Sequence, residues 1–148
     1  MAVNETPSGP VEAAPTYLAK AREVLERDHR HATLAFLYRG GEVVHSEVAG
    51  YETTAAKDEY LGHALPDRVA EHDADGVLLV GEAAGAQGDL LVVFAEQADG
   101  ATITLSVPYL VRRFPQRVVL GGVATGAPGT IPAFDAVRRV WRGQPRQS

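Results

Sequence analysis

Residues 77–107 read VLLVGEAAGAQGDLLVVFAEQADGATITLSV. Val77–Val80 and Leu90–Ala95 are unbroken apolar runs, the pattern of strands covered on both faces. Gly85 and Gly88 mark a turn between them, and Asp99-Gly100 marks the next. The following segment alternates, with Ile103, Leu105 and Val107 directed inward and Thr102, Thr104 and Ser106 outward. Short turns between successive strands predict antiparallel pairing.

Upstream, Ala32–Tyr38 and Val43–Ala49 flank Gly40-Gly41, a hairpin signal because glycine enters positive φ freely. On the second of these strands Val44, Ser46 and Val48 share one face, while His45 and Glu47 share the other, which is expected to meet solvent. Tyr17, Leu18, Ala21, Val24 and Leu25 recur at helical spacing behind an N-cap at Thr16. Thr53 or Thr54 caps a second helix through about His72, with a kink or restart at Pro66. Val118–Leu120 is an optional further strand. A glycine-rich loop, Gly121–Gly129, leads to a last helix near Pro132–Arg142.

The expected fold is α+β: a mostly antiparallel sheet of five or six strands with helices packed on it, in the order α-β-β-α-β-β-β-(β)-α. Residues 1–15 carry Pro7, Gly9, Pro10 and Pro15 and few large apolar groups, so they are expected to be a disordered arm. Residues 16–142 form a single domain, and 143–148 a disordered tail.

The chain has 148 residues, no cysteine and a net charge of −5. Thiol nucleophiles, disulfides and thiolate metal sites are excluded outright. Cysteine-free composition favours the cytoplasm. Met1–Pro10 has neither the basic nor the apolar region of a signal peptide, and no run approaches the length of a membrane span. Arginine far outnumbers lysine, which we read as the coding bias of a GC-rich, actinobacterial genome. From Tyr109 onward seven arginines stand against Asp135 alone, whereas the remainder carries 18 acidic residues against seven basic ones. Such asymmetry can mark an interaction surface, and the acidic remainder disfavours nucleic acid.

Four residue sets could carry chemistry. Asp75, Glu82 and Asp89, at strand ends, are the carboxylates of a small metal-dependent hydrolase or nuclease. Restriction-type nucleases follow the second carboxylate by a lysine two residues on, yet Ala98 stands there after Glu96 and Ala84 after Glu82, so no cation stabilises developing charge. Glu82 ends an apolar strand; burial would raise its pKa and suit it to acid–base work. His45 and Glu47, two apart on a strand, can reach one divalent ion, although zinc sites need three or four protein ligands. Gly121–Gly129 precedes a helix, where backbone amides attract anions, but it has neither a P-loop nor a dinucleotide fingerprint and reads better as a connector. Arg112, Arg113 and Arg117 flank Phe114-Pro115, and Arg138, Arg139 and Arg142 line the last helix. Arginine beside aromatic groups suits carboxylate recognition.

No serine triad is present, because His45 and Ser46 point to opposite faces. The leading expectation is a non-enzymatic protein-interaction or regulatory module. It would be homodimeric or bind a protein partner through Arg112, Arg113, Arg138, Arg139 and Arg142, with no cofactor and no membrane. A third reading is a small-ligand binder with a pocket between the sheet and the C-terminal helix.

Overall fold

The computed structural model describes residues 9–49, 53–85, 88–114, 116–127 and 129–143. One antiparallel sheet organises the chain. Its strands are β1 (Leu34–Arg39), β2 (Glu42–Val48), β3 (Gly76–Gly85), β4 (Gly88–Gln97), β5 (Thr102–Arg113) and β6 (Gln116–Leu120). They lie in the order β2-β1-β3-β4-β5-β6, and a two-residue β7 (Ala124–Thr125) pairs with β5. The class, the antiparallel pairing and the order of elements agree with the reading of the sequence. Gly40 and Gly41 take φ of 60° and 84° in the β1–β2 turn, conformations that other residues adopt only with strain.

The two apolar runs are continuous because the sheet is covered twice. On one face Leu78, Val80, Leu91, Val93 and Val107 pack under helix α1 (Pro10–Asp28), through Ala14, Leu18, Ala21 and Leu25. On the other face Ala35, Leu37, Val77 and Leu79 meet Tyr60, Leu65, Val69, Phe134 and Val137. These come from a π turn at Tyr60–Ala64 that follows helix α2 (Thr54–Glu59), from helix α3 (Leu65–His72), from a 3-10 turn at Pro132–Phe134 and from α4 (Asp135–Trp141), whereas α2 itself adds no buried residue. No described helix is long and apolar enough to cross a membrane.

Four details depart from expectation or sharpen it. Helix α1 begins at Pro10 rather than Thr16, so residues 10–15 belong to the helix and not to a disordered arm. Proline suits the first helical position, the Val11 N–H donates to Gln97 Oε1 at 3.1 Å, and Gly76 leaves room for the Pro10 ring where a Cβ would sit 2.8 Å from it. Composition alone hides these tertiary partners. Residues 1–8 of that arm, and 144–148 of the tail, lie outside the described residues.

At Pro66 the expected restart is present, with α3 beginning at Leu65 and Pro66 in its first turn, and it is reached through a π turn. The Leu65 N–H reaches back five residues to the Tyr60 carbonyl, and this π turn accommodates a residue that cannot donate. β3 runs on to Gly85, so Glu82 lies inside a strand rather than at its end. β5 extends to Arg113, and the optional strand becomes β6, its hairpin partner.

The C-terminal segment is tied across the sheet by a buried ion pair. Arg138 Nη1 donates to Glu96 Oε1 and Oε2 at 2.7 and 2.8 Å and to the Ile131 carbonyl at 3.1 Å. The Ile131 N–H donates back to Glu96 Oε1, and Arg138 Nη2 also pairs with Asp135. Trp141 Nε1 donates to the Ala74 carbonyl at 2.7 Å, fixing the far end of α4. Because the Glu96 side chain is only 3% exposed, removing its partner strands a charge in the core. Arg138→Met alone should therefore lower the unfolding free energy by about 3–5 kcal/mol in urea titration, and pairing it with Glu96→Leu should recover most of the loss. Equal destabilisation of the single and double variants would refute a buried charge pair.

Candidate functional site

The carboxylates proposed from the sequence do not converge. Asp75 lies at the start of β3, exposed, where its Oδ2 accepts the Gly40 N–H at 3.0 Å. Glu82 lies seven residues further along the extended chain, about 23 Å away at strand spacing. Glu82 and Asp89 do share the α1 face, as diagonal neighbours across β3 and β4. Glu82 is nonetheless occupied structurally: Oε2 accepts the His31 N–H at 2.9 Å, and Oε1 accepts the Tyr109 hydroxyl. Burial, the hydrogen bond to Glu82 and the nearby charge of Asp89 push the Tyr109 pKa up, so the phenol stays a donor. A hydrolase built on Asp75, Glu82 and Asp89 together is corrected by this geometry, since two carboxylates are no metal cage and the third is at the other end of the strand.

His45 and Glu47 also differ from expectation. They face the π turn and α3, not solvent, because they stand opposite Leu37 and Ala35 on the core side of β1. Val48, expected to face inward, is 66% exposed instead. Glu47 is the centre of a hydrogen-bonded set. It accepts from His45 Nε2 at 2.8 Å, the Tyr60 hydroxyl at 2.7 Å and Arg68 Nε at 3.2 Å, while the His45 ring stacks on His72 at 4.6 Å. No cluster of three or more metal-ligating side chains occurs among the described residues. Tyr60 and Arg68 were not singled out from the sequence; they reach Glu47 on β2 from the π turn and from α3.

The arginines divide into two groups. Arg138 is consumed by Glu96 and is not available to a partner, which corrects its assignment to a docking surface. Arg139 and Arg142 remain exposed on α4. Arg112, Arg113 and Arg117 lie instead on a β-arm. β4 pairs with β5 only as far as Leu90↔Pro108, and beyond that point β5 and β6 continue as a two-stranded hairpin. Its sequence nearly mirrors itself, with Leu110 opposite Val119, Val111 opposite Val118 and Arg112 opposite Arg117. That mirror is the signal by which the arm could have been found. Tyr109, Val118 and Leu120 pack its base against the α1-side core. Further out, Leu110 is 53% exposed and Val111 40%, and Phe114 at the tip is 94% exposed. No described residue forms an ion pair with Arg112, Arg113 or Arg117, and two like charges directly opposite are mildly unfavourable.

The Gly121–Gly129 loop is used by the sheet rather than aimed at an anion. The Gly121 N–H donates to the Pro108 carbonyl and the Gly126 N–H to Thr104, both at 2.8 Å, and β7 lies between them. A cavity of about 560 Å³ opens elsewhere, between the sheet at Leu79 and Phe94, the start of α2 at Thr53 and Lys57, and Ile131–Ala133.

The Glu47 set has a pH signature. Burial alone would raise its pKa, but hydrogen bonds from His45 and Tyr60 and the charge of Arg68 outweigh burial and hold the carboxyl below its ordinary value. A depressed folded pKa gives stability that is present above the unfolded pKa and lost as pH falls through the folded one. Glu47→Gln should therefore cost about 1–2 kcal/mol near neutrality, and the gap to the native chain should close on acidification below about pH 4. Denaturant titrations at both pH values check this; a pH-independent gap would contradict it.

A search of curated proteins and a search of solved structures each return no match. The sequence model of one protein family, described as bacteriophage lambda protein ea47, matches residues 3–147. That match spans nearly the whole chain, from before α1 to beyond α4, and the chain belongs to the bacteriophage lambda ea47 family.

Proposed function

We propose that this chain is a non-enzymatic protein-interaction module whose contact surface is the β5–β6 arm. The observation that carries this reading is the arm tip, where Phe114 is 94% exposed and neither Arg113 nor Arg117 forms an ion pair with any described residue. Exposed aromatic side chains next to arginine are the composition of interface hot spots, and Phe114 is not isolated, since Leu110 and Val111 on the same arm are exposed as well. The carboxylate and histidine sets offer weaker support for a reaction: Asp75, Glu82, His45 and Glu47 are engaged in internal hydrogen bonds, and Asp89 stands exposed without converging on a third carboxylate. Of the last helix's described arginines Arg139 and Arg142 remain to assist, so the arm takes the place first given to that helix. Nucleic acid is the poorer partner for a chain of net charge −5. The absence of cysteine supports a cytoplasmic setting.

Site-specific photo-crosslinking in the native host tests the reading. A crosslinker at position 114 should give a protein adduct, to another copy or to a different protein, that a crosslinker at position 54 on α2 does not give. No adduct at 114 would overturn the arm as a contact surface.

The cavity beside Ile131–Ala133 favours a second reading, a small-ligand binder. Its volume of about 560 Å³ suits a small organic molecule, and apolar Leu79, Phe94 and Ala133 with Thr53 and Lys57 at one side suit an amphipathic one. Native mass spectrometry of the purified protein should then show a bound mass that Ala133→Trp abolishes; a bare mass from native-host material would remove this reading.

A further inference from the structure

The arm has a complementary surface on its own chain that it cannot itself reach. A groove of about 560 Å³ runs between α1 and β7, floored by Leu18, Ala19, Leu105 and Val123 and edged by Glu23 and Glu26. Arg22 also lines it, so two carboxylates face one guanidinium. Val123 is 50% exposed there, and both glutamates are exposed. The arm tip presents the converse pattern, an exposed phenyl ring at the turn with Arg113 on one face of the hairpin and Arg117 on the other. A phenyl ring with an arginine stem beside it fits the available volume.

Intramolecular occupation is ruled out by length. Phe114 lies nine residues beyond Leu105 on the same extended strand, about 30 Å at strand spacing. The base of the arm is fixed by its packing on the α1-side core through Val118 and Leu120, so the tip does not turn back.

We propose that the occupant of the groove is the arm of a second copy, which inserts Phe114 over Ala19 and Val123 and sets Arg113 and Arg117 against Glu23 and Glu26. Reciprocal insertion is self-complementary, residue for residue, and closes as a two-fold dimer. It covers the apolar arm and gives the opposed Arg112 and Arg117 an acidic neighbour. This inference rests on the arm being the contact surface and names its partner.

A charge-swap pair tests it. Arg113→Glu with Arg117→Glu gives a chain with an acidic arm and an acidic groove; Glu23→Arg with Glu26→Arg gives a chain with a basic arm and a basic groove. All four side chains are exposed, so both variants should keep the native circular dichroism and melting temperature. In sedimentation velocity the native chain should be a dimer, each variant alone should dissociate with at least ~tenfold weaker affinity, and the equimolar mixture should dimerise again. A native chain that stays monomeric overturns the inference, as does a mixture that fails to reassociate. Should the position-114 crosslinker then capture a different protein, the arm remains a contact surface and only the second copy is lost. Labelled duplex DNA captured by a monomeric native chain and released by the arm variant would overturn both.

Discussion

One buried charge pair sets what the rest of the structure can do. Glu96 and Arg138 are 42 residues apart in sequence and meet under the C-terminal segment with almost no water. Desolvating two ions costs several kcal/mol each, recovered only through close geometry and further hydrogen bonds. Here those come from Ile131, which both donates to Glu96 and accepts from Arg138. The pair thereby fixes where the chain after β7 crosses the sheet, brings Phe134 and Val137 onto the second core face, and lets Trp141 reach the Ala74 carbonyl. Without it that face of Val77 and Leu79 would be only partly covered.

The same pair decides which arginines face outward. In sequence the C-terminal helix and the 112–117 segment look equally basic. In the fold the helix spends its central arginine inside, while the arm keeps all three in water beside an exposed phenyl ring. The charge asymmetry is real in both descriptions, but the central arginine of α4 is internally paired while those of the β5–β6 hairpin are exposed. The family shown by the match to the lambda ea47 protein covers the arm, the groove and the C-terminal segment alike.

Much of the fold was legible because its signals are local. Unbroken apolar runs at 77–80 and 90–95, glycine at the turns and clean alternation at 102–107 each name a strand without reference to anything distant. What was not legible depends on partners far along the chain. The helical state of Pro10–Pro15 rests on Gly76 and Gln97. The inward face of His45 and Glu47 rests on where the π turn and α3 lie over an edge strand, since period-two alternation tells the faces apart but not which is covered. Nothing near Arg138 announces Glu96. The arm was nearly legible: YLVRRFPQRVVL mirrors itself about its tip, yet mixed charge and apolar character at 110–113 lacks the alternation that marks a half-buried strand, because neither outer face of an arm is buried.

The central claim is that Phe114 is exposed in the single chain and covered in the working assembly. Hydroxyl-radical footprinting across a dilution series reads this directly, with the half-buried Trp141 as the internal reference. The account predicts that oxidation of Phe114 relative to Trp141 is high in dilute protein and falls as concentration rises. A ratio that does not change with concentration, in protein that sediments as a dimer, would place the contact elsewhere and contradict the account.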